Sequence, residues 1–335
     1  MDTLKLVSDC LAAGITPLLI GPPGVGKTAI LDQAAKLHHR ACITLHAPSL
    51  DSADVGGLHV PDLNTKRLQR LLIGDIADVV AATTPTLLIV DEIGQASPSV
   101  QAAISPLLYS RRIGEFALPD CVAVAGATNR REDRAGAGAV LSHLISRCAV
   151  YNVQADLQQW LAWAVPEGIH ELVVGFLRFR TPLLHQFDPQ VDATRPYACP
   201  RSWAQASRLL LSGAQVGREH LSGIVGEAAA TEFTAYAAIA SGLPDIDKLL
   251  ADPELIKKPT SPSACYALAA SLAWRASDVA HRSDVLRAAA RLHKIGLGEY
   301  AALVLRDAIA KNPGLVLSQE WSALASGPLG KLVIG

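Results

Sequence analysis

The octapeptide GPPGVGKT at residues 21–28 limits the folds open to this chain more than any other stretch does. It follows an apolar run, Thr16 to Ile20, and precedes a stretch of good helix formers, Ala29 to Leu37. Glycines in such a strand-to-helix turn let backbone N–H groups point at phosphate oxygens, and the helix N-terminus adds partial positive charge. The pattern therefore predicts a phosphate-binding loop. The residues expected to contact a nucleotide are Gly21, Pro22, Pro23, Gly24, Val25, Gly26, Lys27, Thr28 and Ala29.

Two residues of this loop and two downstream acids predict nucleotide chemistry. Lys27 is expected to reach the terminal phosphates, and the Thr28 hydroxyl to ligate Mg²⁺. The apolar run Thr86 to Val90, typical of a strand buried in a parallel sheet, ends in Asp91 and Glu92. Ligands bind beyond the carboxyl ends of such strands, which places both acids beside the loop. Asp91 is then a second Mg²⁺ ligand, and Glu92 orients and deprotonates the attacking water.

Two further polar residues flank later strands. Asn129 ends the apolar run that begins at Cys121, where its amide could bond the γ-phosphate or the water, although asparagine also simply favours turns. Arg147 follows a predicted helix, 138–146, and precedes the strand Ala149 to Val153. An arginine there can complement the helix dipole. The same position also suits a guanidinium that points at the nucleotide of a neighbouring subunit and stabilises charge on the transferred phosphoryl group.

Composition narrows the class of protein. Half of the 335 residues are hydrophobic, 18% are charged and the net charge is −1, which argues against a nucleic-acid coat protein. No run approaches the roughly 18–20 apolar residues of a membrane span, and no signal peptide is recognised at the N-terminus. The six cysteines are scattered without a Cys-x-x-Cys pair, which favours a reducing, cytoplasmic location. We find no metal-ligand spacing, so Mg²⁺ is the only metal expected.

The chain divides into two parts on pattern alone. Residues 1–155 are predicted to form an α/β nucleotide-binding domain with hairpin-like inserts near 54–72 and 111–119. The first insert is either a surface loop or an arm that faces a partner. Residues 156–335 read as helical, with prolines between the segments. The predicted helices are 156–164, 168–179, 200–213, 217–240, 244–251, 261–274, 282–293, 297–311 and 317–326.

The motifs GPPGVGKT, LLIVDE, GATN and SRC, in this order and spacing, resemble those of the AAA+ ATPases. The stretches SPSVQAAISPLLYSRRIGEFALPD, FLRFRTPLLHQFDP and CPRSWAQASRLL resemble the MoxR branch, so the similarity extends over nearly the whole chain. The resemblance implies a parallel five-stranded sheet in the order 5-1-4-3-2, an all-helical lid with C-terminal helices, and assembly of identical subunits into a ring, usually a hexamer.

The resemblance also implies residue roles. Lys27 and Thr28 match Walker A, Asp91 and Glu92 match Walker B, and Asn129 matches sensor 1. Arg147 matches the arginine finger, although Cys148 follows it where the MoxR branch commonly has phenylalanine. Arg201, at the start of a predicted lid helix, matches sensor 2; without the resemblance it would read as an exposed arginine beside a buried tryptophan.

The implied function is ATP hydrolysis, with ATP and Mg²⁺ bound, in a chaperone-like protein that remodels, matures or activates a client. The resemblance further implies a partner with a von Willebrand factor A domain. The competing hypothesis is a nucleic-acid motor or clamp-loader-like protein, which SRC at 146–148 and the arginine pairs at 111–112 and 130–131 keep open. No helix-turn-helix, zinc finger or basic tail supports it, so nucleic acid is an unlikely partner. A third hypothesis is a scaffold that assembles on ATP and scarcely hydrolyses it.

Overall fold

The computed structural model describes residues 2–64, 66–133, 142–191 and 194–334. The chain divides into two compact units, Met1–Gln154 with Phe187–Asp192, and Ala155–Gln186 with Ala193–Gly335. Within the described residues, no helix combines the length and apolar character that a bilayer crossing requires.

The first unit alternates strands and helices. Its elements are α1 (Thr3–Ala12), β1 (Pro17–Ile20), α2 (Lys27–Leu37), β2 (Ala41–His46), α3 (Ser52–Gly56), β3 (Leu58–Asp62), β4 (Arg67–Leu71), α4 (Gly74–Val80), β5 (Thr86–Asp91), α5 (Pro98–Ser110), β6 (Arg112–Ile113), β7 (Phe116–Ala117), β8 (Val122–Thr128), α6 (Ser142–Ile145) and β9 (Ala149–Asn152). Of the predicted helix 138–146, residues 138–141 lie outside the described residues.

A five-stranded parallel sheet organises this unit. Its strands lie in the order β2-β5-β8-β1-β9. Counted along the chain, these are strands 2-3-4-1-5, so the predicted order 5-1-4-3-2 is confirmed. Every residue of β5 and of β8 is buried, which explains why both read as continuous apolar runs instead of alternating ones. The central strands thus bring their carboxyl ends to one edge of the sheet.

Two hairpins project from the first unit. Strands β3 and β4 pair antiparallel from Leu58↔Leu71 to Asp62↔Arg67, and β6 pairs with β7. The Arg70 guanidinium joins the two hairpins, since its Nε lies 3.3 Å from a carboxylate oxygen of Glu115. The first hairpin exposes large apolar side chains to an unusual degree: Leu63 is 86% exposed and Leu68 is 68% exposed.

The second unit is helical. Its helices are α7 (Leu157–Ala164), α8 (Glu171–Phe179), α9 (Pro200–Leu211), α10 (Arg218–Val225), α11 (Glu227–Ser241), α12 (Ile246–Ala251), α13 (Pro262–Trp274), α14 (Arg282–Lys294), α15 (Gly298–Lys311), α16 (Gln319–Ala325) and α17 (Pro328–Ile334). An aromatic core of Phe176, Trp203, Phe233 and Tyr236 is fully buried, and the ring centroids of Phe176 and Trp203 lie 5.4 Å apart.

One helix prediction was wrong. The single helix expected over 217–240 is two helices, α10 and α11, which meet at Gly226. Gly226 has φ +84°, a left-handed value that interrupts helical geometry, and a Cβ there would lie 2.6 Å from the Pro196 carbonyl oxygen. A contact with a chain segment 30 residues upstream therefore fixes the break, and helical spacing alone could not reveal it.

Candidate nucleotide-binding site

The loop between β1 and α2 has the backbone that phosphate binding requires. Gly24 and Gly26 adopt φ +75° and φ +104°, values that side chains disfavour. Gly21 passes so close to the end of β9 that a Cβ would lie 2.5 Å from the Val153 carbonyl oxygen. Helix α2 begins at Lys27 with Gly26 at its N-cap, so no capping side chain covers its first turn. Pro22, Gly24 and Val25 are buried, whereas Ala29 is exposed on the helix.

The Lys27 ammonium is buried, with the residue only 8% exposed. Its Nζ donates hydrogen bonds to the carbonyl oxygens of Gly21 at 2.9 Å and Pro22 at 3.0 Å, and to Asn129 Oδ1 at 2.7 Å. A buried charge of this kind is tolerated only when it is well supplied with acceptors. The structure therefore brings Lys27 and Asn129, 102 residues apart in sequence, to one point above the loop.

The side chains of Thr28 and Asp91 bring two oxygen atoms together beside the loop. The Thr28 hydroxyl donates to Asp91 Oδ2 at 2.7 Å, and the other carboxylate oxygen accepts from the Glu92 backbone N–H at 2.8 Å. Asp91 is the last residue of β5 and is 8% exposed. A hydroxyl and a carboxylate at this separation match the hard oxygen ligands that Mg²⁺ takes beside phosphates. The donor set therefore fits Mg²⁺.

Glu92 has a strained backbone. Its φ of +58° lies in the left-handed region, where a residue other than glycine costs about 1–3 kcal/mol. The strain turns the chain at the sheet edge, so that Asp91 and Glu92 diverge. The Glu92 side chain is half-buried and makes no hydrogen bond or ion pair with the described residues. Such a carboxylate is available to accept a proton from water.

Thr128 is a site residue that sequence reasoning missed. It ends β8, fully buried, and its hydroxyl oxygen accepts a hydrogen bond from the Gly94 N–H at 3.0 Å. This bond ties the segment after Glu92 to the strand that carries Asn129. The only signal in the sequence is its place in GATN, where the threonine reads as an ordinary strand residue.

Arg147 lies at the amino ends of the sheet strands, whereas the loop lies at their carboxyl ends. Strands β1 and β9 pair in parallel from Pro17↔Ala149 to Ile20↔Asn152. The loop follows Ile20, whereas Arg147 precedes Ala149, so the length of a 4-residue strand, about 13 Å, separates the two edges. The Arg147 side chain is exposed, and its guanidinium carbon lies 4.3 Å from the centroid of the Tyr109 ring. Burial raises the pKa of the neighbouring Cys148 thiol.

Arg201 belongs to the second unit. It follows Pro200, the first residue of α9, and its side chain is exposed. The helix start is fixed by the Cys199 N–H, which donates to Ser202 Oγ at 2.8 Å, and by the buried Trp203, whose indole N–H donates to the Leu183 carbonyl at 2.7 Å. Arg201 is thus held at a helix start in its own unit.

A strand–loop–helix that presents Lys27 and Thr28, next to a buried strand that ends in Asp91, defines the class of P-loop nucleotide-binding proteins. The comparisons with known proteins are more specific. Residues 17–147 match the family model of the AAA domain, dynein-related subfamily. This segment is therefore similar to AAA domains, the nucleotide-binding modules of AAA+ ATPases. The match does not distinguish the MoxR branch within that class.

Solved structures resemble the chain at low identity. A point mutant of RuvB from Thermotoga maritima is 17% identical, with 80% of each chain covered and a TM-score of 0.39. NtrX from Brucella abortus, solved in complex with ADP, is 14% identical; the match covers 98% of this chain and 67% of NtrX, with a TM-score of 0.38. No curated protein sequence matches the chain.

Proposed function

We propose that this protein hydrolyses ATP in a homo-oligomeric, hexameric ring and couples hydrolysis to the remodelling, maturation or activation of a client protein, as the MoxR branch does. The observation that carries the proposal is the convergence of Lys27, Thr28, Asp91 and Asn129 at one edge of the sheet, linked by hydrogen bonds of 2.7 Å. Phosphoryl transfer depends mainly on positioning and charge stabilisation, which these groups supply.

The proposed roles follow from the contacts. Lys27 exchanges its present oxygen partners for phosphate oxygens, while the backbone N–H groups of residues 24–29 surround the phosphates. Thr28 and Asp91 hold Mg²⁺, which when bound offsets the charge of the triphosphate. Glu92 accepts a proton from the attacking water, Asn129 orients that water or the γ-phosphate, and Arg201 contacts the nucleotide from the second unit.

The position of Arg147 supports the proposed ring. Arg147 and the loop lie at opposite ends of the sheet strands. The guanidinium therefore cannot contact the nucleotide bound to its own chain. A head-to-tail arrangement places it against the loop of the next subunit, and repetition of that contact closes a ring. There it stabilises the transferred phosphoryl group, an effect worth on the order of 10³–10⁵ in rate.

The two hairpins are the proposed contact with the client. The exposed side chains of Leu63, Leu68 and Leu71 supply apolar contact area. Arg70 fastens the first hairpin to Glu115 of the second, so the two are expected to move together. The client or its adaptor is proposed to carry a von Willebrand factor A domain. A cytoplasmic location is proposed as well, and the six free thiols support it.

The alternative, a nucleic-acid motor, is less well supported. Three of the arginines that kept it open have partners within the chain: Arg111 and Arg112 donate to the backbone oxygens of Pro119 and Glu115, and Arg130 pairs with Asp133 at 2.6 Å. We expect neither DNA nor RNA to stimulate ATP turnover. Stimulation with a steep salt dependence would instead favour the alternative.

Complementation between two inactive variants tests the proposal. Lys27→Ala removes nucleotide binding and leaves the arginine finger, Arg147, intact. Arg147→Ala removes the arginine finger and leaves the phosphate-binding loop intact. Each variant alone should be inactive. In a head-to-tail ring assembled from equal amounts, about one quarter of the interfaces join an intact loop to an intact finger, so about one quarter of wild-type turnover should return. A mixture as inactive as its components would contradict catalysis between subunits.

A further inference from the structure

Tyr109 is the aromatic partner of Arg147. It is the penultimate residue of α5, it is 41% exposed, and the Arg147 guanidinium carbon lies 4.3 Å from its ring centroid. A guanidinium over an aromatic face at this distance is attracted by the ring quadrupole. The contact restricts the rotamers of a long side chain at the surface of the first unit.

The helix that carries Tyr109 is itself firmly held at both ends. Near its start, Gln101 Nε2 donates to the Ala96 carbonyl at 3.1 Å. At its end, the Leu108 carbonyl accepts from the Thr16 hydroxyl at 2.8 Å, just before β1. Helix α5 has 13 residues and so spans about 20 Å, and its last turn lies beside Arg147.

The surface around Arg147 is concave and cationic. Tyr109, Arg111 and Arg147 line a cavity of about 230 Å³, together with residues at the ends of α1 and β1. Arg111 is fixed there by a hydrogen bond of 2.8 Å to the Pro119 carbonyl. An anionic group from another chain therefore meets a positive surface on which the Arg147 guanidinium rests against the tyrosine ring.

We infer that Tyr109 is a positioning residue for the arginine finger: its ring holds the Arg147 guanidinium ready for the nucleotide of the adjacent subunit. The inference rests on the proposed function.

The test builds on the complementing mixture, in which Lys27→Ala subunits donate the finger and Arg147→Ala subunits provide the loop. Tyr109→Leu in the donor should lower turnover of the mixture by about 5- to 30-fold, the effect of losing a cation–π contact that subunit docking desolvates. The KM for ATP should not change, because the nucleotide-binding residues belong to the other chain. Tyr109→Phe in the donor should retain turnover, since the ring face is kept. Ser110→Ala, which alters the adjacent exposed residue, is the matched control.

Placing Tyr109→Leu in the Arg147→Ala chain instead distinguishes a positioning role of Tyr109 from a general loss of subunit stability. Tyr109→Leu added to the Arg147→Ala chain should leave the mixture unchanged, because that chain has no finger to position. The inference would be overturned if Tyr109→Leu lowered turnover equally in either chain, or if it lowered nothing in the finger-donating chain. It would also be overturned if Tyr109→Phe impaired turnover as much as Tyr109→Leu. If the parent mixture is inactive without any change at Tyr109, the trans arrangement fails and the inference fails with it. An active parent mixture that is indifferent to Tyr109 refutes the inference alone.

Discussion

Replacing Thr28 with valine removes one hydroxyl and keeps the branched shape of the side chain. In the structure this hydroxyl donates to the carboxylate of Asp91 at 2.7 Å, and Asp91 is 8% exposed. A hydrogen bond to a charged group contributes about 1.5–3 kcal/mol, and the Asp91 carboxylate keeps its bond from the Glu92 N–H. We therefore expect the free energy of local unfolding around β5 to fall by about 1.5–3 kcal/mol without nucleotide.

Hydrogen exchange of peptides from β5 measures this loss, and peptides from α13 in the second unit serve as the internal comparison. Because Thr28 is also a proposed Mg²⁺ ligand, the affinity for MgATP should fall at least about 10-fold in the same variant. Thr28→Ser keeps the hydroxyl and should resemble the wild type in both assays. Wild-type protection of β5 in the valine variant would refute the energetic reasoning, and unchanged MgATP affinity would refute the role in metal binding.

Substitutions at three other positions test the packing of the second unit and the titration of one half-buried acid. Gly226→Ala should destabilise the second unit by about 1–3 kcal/mol in urea titrations, because its Cβ would lie 2.6 Å from the Pro196 oxygen; a wild-type midpoint would contradict this. Trp203→Ala should cost about 3–5 kcal/mol, since the indole is fully buried, whereas Trp203→Phe should cost less. Burial raises the pKa of Glu171 above its ordinary 4.5, against smaller opposing effects of Arg275, Ser271 and Lys311. The folded state therefore binds this proton more tightly than the unfolded state does. The resulting contribution to the free energy of unfolding is fully present below pH 4.5 and is lost as the pH rises through the pKa of the folded state. Glu171→Gln should remove that loss, and equal pH slopes in the two proteins would show that Glu171 is not its source.

The sequence predicts the architecture of the first unit well, for a physical reason. Fully buried parallel strands must be apolar throughout, so β5 and β8 stand out from any helix or half-exposed strand, and the polar residues that end them are visible by contrast. The same contrast identifies Asp91 and Asn129 as candidates from the amino-acid pattern alone. Local pattern suffices where a residue's environment is set by its own element.

Contacts between distant segments are what the sequence does not reveal. The break at Gly226 depends on the Pro196 carbonyl, and the partner of Arg147 is a tyrosine 38 residues upstream on another element. Likewise, nothing in GATN indicates that the Thr128 hydroxyl accepts the Gly94 N–H. Each of these pairings is created by packing, so no spacing rule encodes it.

Glu92 is proposed to activate water for attack on ATP held by the loop, and the Glu92→Gln variant tests this role most directly. The amide keeps the shape of the side chain but cannot accept the proton, so ATP binding measured by equilibrium titration should match the wild type. Phosphate release by the same sample should fall by at least about 10². A purified Glu92→Gln protein that releases phosphate at the wild-type rate, or that fails to bind ATP, would contradict this account.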